Sequence, residues 1–295
     1  MNQKEFDEAI RSNLQQETGY PKPGSGKYEN YYTKDDFDKF VSEMEKNHNK
    51  HYLAYTKGNG KELKEKVFKN GRVYPPKMAS VASSSRFCFL TLVNGAKPLG
   101  VKGEPQFECE CEIKGLNRPY PPTLDAYFKD SNTYFEVKCH EIFTSHNIKM
   151  SEEYRKYVSY PTGDFNISEA DINPSKKGNN KEFTIYPHIF GLNDDGNSKF
   201  DIKQLICHLL GIKSKSEGKQ AKLIYLFFYP VTNDNETNEK IQEVFAELKN
   251  EIGLIFNSKP IRTFCEKNNI TLEAYAERNT IMTDLHEDNV IRLFP

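Results

Sequence analysis

LDAYFKDSNTYFEVKCHEIF, residues 124–143, places acidic side chains where a buried strand would carry apolar ones. LDAYF and TYFEVKC are each short and alternating, and KDSN between them is a polar turn of hairpin length. A turn symmetric about Asp130 and Ser131 sets Tyr127 opposite Tyr134 and Asp125 opposite Glu136. Directly opposed residues have Cβ atoms about 4.5 to 5.5 Å apart, and like charges at that separation repel. Lys138 projects from the same face as Glu136, while Phe135, Val137 and Cys139 point into a core. Such a carboxylate pair suits a hard divalent cation, because Mg²⁺ takes one or two carboxylates together with water and phosphate oxygens. The lysine beside it suits a water held near phosphorus and the charge that develops there.

The flanking segments predict a compact α/β domain. Upstream, residues 77–93 predict a helix stopped by Gly95 and Pro98. FECECEIK, residues 107–114, then alternates as a strand with Glu108, Glu110 and Glu112 on one face. Either Glu108 or Glu110 is placed to add a third carboxylate, with Glu108 preferred. Downstream, Asp201 and Gln204 cap a helix through DIKQLICHLLG that Gly211 would end. A basic loop over 213–222 follows. LIYLFFY, residues 223–229, reads as a central strand buried on both faces. Two helices, 236–252 and 271–278, close the chain. The first 76 residues predict a helical extension, with helices at 4–15 and after Thr33. Residues 144–200, with a short helical piece at 152–158 and the polar stretch PSKKGNNK, predict an insertion in a domain spanning 77–295.

The blocks SSSRFCFLTL, FECE, LDA, EVKCHE and QLICHLLG, over residues 79–229, resemble the PD-(D/E)xK nuclease superfamily, and within it a bacterial family of restriction-type endonucleases. Pro122 departs from the motif by standing three residues before Asp125 rather than next to it. The resemblance implies a restriction-endonuclease-like core in the order αβββαβ, with a mixed central sheet flanked by helices and helical additions at both ends. It implies Mg²⁺, with Mn²⁺ able to substitute. The metal set is then Asp125, Glu136, Val137 and Glu141, and Lys138 serves the nucleophilic water. Glu108, Gln204 and His208 line the site, the last two sharing a helix face one turn apart.

Composition narrows the partners. Charged residues are 28% of the chain and cancel to a net charge of −1, so a DNA partner has to be met by local patches. Lys176, Lys177 and Lys181 in the insertion and Lys213 and Lys215 after the capped helix are the candidates, with Tyr154, Tyr157 and Tyr160 as stacking surfaces. No signal segment or membrane span is expected, and the six cysteines lack zinc-site spacing, which together predict a cytoplasmic chain with reduced thiols. A homodimer is compatible with cutting both strands. A cysteine hydrolase built on Cys139 and His140 is disfavoured, because neighbouring strand residues face opposite sides. A nucleic-acid-binding or scaffold protein without catalysis is the main rival.

Overall fold

A computed structural model describes residues 1–19, 30–56, 62–67, 73–116, 121–175, 182–193 and 198–294. Three helices come first: α1 (Gln3–Thr18), α2 (Lys34–Asn47) and α3 (Asn49–Thr56). Asn2 and Glu5 form a reciprocal capping box on α1, and the Thr33 hydroxyl caps α2 at the Asp36 amide, as its sequence predicts. A two-stranded ladder of β1 (Lys66–Val67) and β2 (Val73–Tyr74) follows. Phe6, Ile10, Met44 and Tyr55 of these segments are buried in one continuous core with residues of the sheet.

The long helix expected over 77–93 is instead a 3₁₀ turn, Lys77–Ala79, and then α4 (Ser84–Leu92). Buried Arg86 holds the break by donating to the carbonyls of Met78 at 2.7 Å and Val81 at 2.9 Å. The chain then runs through β3 (Pro105–Glu110), β4 (Thr123–Phe128) and β5 (Thr133–Lys138), an antiparallel meander. Tyr127 pairs with Tyr134 as the turn symmetry requires, and their rings stack at 4.5 Å. Along β4, buried Leu124, Ala126 and Phe128 alternate with partly exposed Thr123, Asp125 and Tyr127.

Residues 144–200 carry their own three-stranded antiparallel sheet, β6 (Lys149–Ser151), β7 (Ile172–Ser175) and β8 (Glu182–Ile185), with β8 central. The short helix α5 (Arg155–Val158) lies within this region, where a helical piece was expected. Stacking of Phe165 on Phe264 at 4.3 Å ties it to the rest of the domain.

Helix α6 (Ile202–Ser216) is capped by Asp201, but it runs past Gly211 rather than ending there. Gly211 serves close packing: a Cβ at this position would lie 2.7 Å from the Cys111 carbonyl oxygen and 2.8 Å from its Cβ. Gly211→Ala is therefore expected to destabilise the protein by about 1–3 kcal/mol despite the better helix propensity of alanine, checked by urea unfolding. An equally stable variant would show that α6 does not depend on this approach.

Strand β9 (Ala221–Pro230) pairs in parallel with β5 on one side and β10 (Ile270–Asn279) on the other. Its interior residues are almost all buried, as a central strand requires. Helices α7 (Asn235–Asn257) and α8 (Lys259–Asn268) connect β9 to β10, and β11 (Val290–Phe294) closes the edge. The sheet order is β11-β10-β9-β5-β4-β3, so the fold is mixed α/β with a six-stranded mixed sheet flanked by helices. The helix expected over 271–278 is corrected to strand β10, which is hydrogen-bonded to β9 along its whole length. Among the described residues no helix is long and apolar enough to cross a membrane.

Candidate active site

Three neighbouring strands bring Glu108, Asp125 and Glu136 to one level of the sheet. The β3–β4 ladder pairs Phe107 with Ala126 and Cys109 with Leu124, leaving Glu108 and Asp125 as the intervening pair. Glu108 has a φ of 53°, a left-handed conformation that costs a residue with a side chain and breaks the ladder at this point. The β4–β5 ladder ends with Ala126 opposite Phe135, and one residue beyond it Asp125 Oδ2 accepts a 2.6 Å hydrogen bond from the Val137 amide. Val137 therefore acts through its backbone, since its own side chain is buried in the apolar layer.

Glu136 is 3% exposed. Its Oε1 accepts from Lys138 Nζ at 2.6 Å and from Gln204 Nε2 at 2.9 Å, and Gln204 Oε1 accepts from the same lysine at 2.7 Å. Gln204 thus reaches the site from α6 while its backbone amide is capped by Asp201. The other oxygen, Glu136 Oε2, has no hydrogen-bond partner. His208, one turn further along α6, lies 3.7 Å from that oxygen and 3.5 Å from the Tyr225 hydroxyl. Glu141 folds back to accept from the Cys139 amide at 2.7 Å.

The electrostatics follow from burying so many carboxylates together. Burial, reinforced by Glu136, pushes the Asp125 carboxyl well above its usual range, against the pull of Lys138 and the Val137 amide. Burial and the negative field of Glu62 raise Glu108 to about 7, although Lys77 opposes them. Burial works against a charged Lys138, but Glu136, Glu141 and Asp125 outweigh it and hold the ammonium charged. Glu141 is resisted by burial yet kept below its ordinary value by Lys138 and His140. Burial lowers the pKa of His208, so its imidazole is neutral at neutral pH.

Of the expected residues, Glu136, Lys138 and Gln204 are directly hydrogen-bonded, and His208 lies beside Glu136. Asp125 and Glu108 join them through the register, and Glu141 through its charge on Lys138. Of the two glutamates left open by the sequence, Glu110 is exposed at the end of β3 and Glu108 is partly buried. Three contributors were missed by the motif reading, and two of them left no signal in the sequence. Lys77 and Glu62 pair at 2.8 Å beside Glu108, brought there by chain segments with no motif of their own. Tyr225 did leave a signal, as a hydroxyl inside an otherwise apolar strand.

The basic patches divide differently. Lys176, Lys177 and Lys181 lie outside the described residues. Lys213 and Lys215 sit on α6, not on a loop: Lys213 pairs with Asp164 at 2.6 Å, and Lys215 turns to the Cys109 sulfur and the Glu110 carbonyl. Tyr154 is buried, Tyr157 donates to the Lys114 carbonyl, and Tyr160 is exposed. No protein-family model, curated protein or solved structure matches the chain.

Proposed function

We propose that this chain is a metal-dependent nuclease that hydrolyses DNA phosphodiester bonds, a restriction-type endonuclease on a PD-(D/E)xK core. The element order α4, β3, β4, β5, α6, β9 supports that core. The observation that carries the reading is the buried Glu136, with one oxygen held by Lys138 and Gln204 and the other left without a hydrogen-bond partner, 3.7 Å from His208 Nε2. An unpartnered buried carboxylate oxygen is costly unless another ligand takes it up, and an oxygen-seeking cation fits.

Among the described residues no three side chains of the metal-ligating types are gathered into a ready cage. A Mg²⁺ ion needs less, since water and substrate oxygens complete its shell. Asp125 and Glu136 would hold it, and bound there it would supply positive charge to the phosphate oxygens. The chain's own groups do the remaining work. Lys138, kept charged and aimed by Gln204, orients the attacking water and stabilises the negative charge growing on phosphorus. The Val137 amide fixes Asp125, and neutral His208 packs beside Glu136 without adding a charge.

Thermal unfolding with and without Mg²⁺ tests this reading apart from catalysis. The wild-type Tm is expected to rise with Mg²⁺ as RT ln(1 + [L]/Kd) requires, and the Asp125→Asn variant is expected to respond little. Without the cation, Asp125→Asn is expected to be more stable by about 0.5–2 kcal/mol, because one of two facing carboxylates is gone. Plasmid cleavage is expected with Mg²⁺ or Mn²⁺ and none in excess EDTA. An unchanged Mg²⁺ shift in Asp125→Asn, or cleavage that survives the chelator, would overturn the proposal.

A further inference from the structure

Strand β3 lies at the edge of the sheet, and at its end Cys109 and Cys111 both turn toward α6. Lys215, exposed on that helix, places Nζ 2.9 Å from Cys109 Sγ and 3.0 Å from the Glu110 carbonyl oxygen, with its charge 5.3 Å from the Tyr127 ring centroid. Cys111 is fully buried under Gly211, its sulfur 3.7 Å from the Cys109 carbonyl oxygen. Cys109 itself is 7% exposed, so its sulfur lies just beneath the surface that Lys215 covers.

The two thiols are driven to opposite protonation states. Hydrogen bonding from the Cys111 thiol, with the Lys215 ammonium added, brings Cys109 down to about 6 in spite of burial. The same contact and burial raise Cys111, which stays a thiol. A thiolate next to a protonated thiol has the arrangement of an attacking and a resolving cysteine. Alternate residues of a strand are about 6.6 Å apart, inside the roughly 6.8 Å that a disulfide can span. Among the other cysteines, Cys88 and Cys139 are buried and pushed up by that burial, so neither competes as a nucleophile.

We propose that Cys109 and Cys111 form a peroxide-responsive thiol pair, in which Cys109 is oxidised first and Cys111 resolves it to a disulfide. The co-reactant is hydrogen peroxide. The Cys109 thiolate attacks one peroxide oxygen, an S–O bond forms as the O–O bond breaks, and the departing hydroxide takes a proton to leave as water. Cys111 sulfur then attacks Cys109 sulfur, an S–S bond forms as the S–O bond breaks, and the Cys111 proton leaves with the hydroxide as a second water. Two thiols are oxidised and one peroxide is reduced. This chemistry stands independently of the nuclease reading, because it uses none of Asp125, Glu136 and Lys138.

The test is the pH dependence of iodoacetamide labelling on the intact chain, mapped by peptide mass, with the partly exposed Cys207 as internal reference. Cys109 is expected to label half-maximally near pH 6, well below the roughly 8.5 of an unperturbed thiol. Equimolar hydrogen peroxide is expected to remove both Cys109 and Cys111 from labelling, with dithiothreitol restoring them. Cys111→Ser is expected to leave a sulfenic acid on Cys109 that dimedone traps. Lys215→Met is expected to slow labelling at pH 6.5 by about threefold or more, with Lys215→Arg recovering the rate. Labelling of Cys109 no faster than Cys207 between pH 6 and 7 would overturn the proposal without needing any variant. Peroxide treatment that joins Cys109 to anything other than Cys111 would also overturn it.

Discussion

Asp125→Ala, Glu136→Ala and Lys138→Ala are each expected to lower Mg²⁺-dependent cleavage of plasmid DNA by on the order of 10²–10³-fold or more. The reason is geometric. Lys138 Nζ has two acceptors, Glu136 and Gln204, and in the proposed reading Glu136 and Asp125 are the carboxylates that would hold the cation. Losing any one of the three leaves the other two without their arrangement, so the single effects should be similar and far from additive in combination. Gln204→Ala is expected to lose less, about tenfold, because it orients Lys138 through one hydrogen bond while Glu136 still holds it. Glu136 is buried, so Glu136→Gln is the needed companion: it keeps the shape, and its circular dichroism and Tm separate lost chemistry from lost fold. Wild-type cleavage in any of the three alanine variants, each shown to be folded, would remove the catalytic assignment.

The hairpin was legible because its information is local. A polar four-residue turn fixes the register, and the register fixes which side chains face each other, so Tyr127 opposite Tyr134 and Ala126 opposite Phe135 follow from spacing alone, with Asp125 one step past the end of that ladder. Capping was equally legible at Thr33 and Asp201, where one side chain settles the helix start. The errors came where long-range packing outweighed local preference. LEAYAER is rich in helix formers, yet Ala274 and Ala276 are buried beside β9, and Glu273 is accommodated by Lys222 at 2.8 Å and the Tyr275 hydroxyl at 3.0 Å. The helix that does precede this strand, α8, carried its own signals in Pro260 within the first turn and Asn269 at the left-handed cap. Gly211 misled for the opposite reason: helix glycines usually mark an end, and this one makes room for Cys111. The Asp7–His140 contact at 3.0 Å and the Glu62–Lys77 pair join segments far apart in the chain, and nothing in either local sequence announces them.

Glu277→Gln is expected to stabilise the protein by about 2–5 kcal/mol at pH 9 and to change it little near pH 4, read as Tm or urea unfolding across the range. Glu277 is fully buried on β10, and burial lifts its pKa to about 8, with Asp284 adding to the rise and the Asn279 amide opposing it. Its Oε1 accepts a 3.4 Å hydrogen bond from Asn279, while Oε2 has no partner. The sign follows from proton counting. In the unfolded chain the carboxyl titrates near about 4.3, so between that value and about 8 the folded protein keeps a proton that the unfolded chain has released. Stability therefore falls as pH rises through this window and levels off above it, once both states are ionised. Glutamine removes the titration while keeping the carbonyl that Asn279 needs, so the two proteins should diverge from about pH 5 and run parallel above about pH 8. Parallel curves across the whole range would mean that Glu277 ionises normally in the folded state. In that case the carboxylate must reach water or a counter-charge in the folded state.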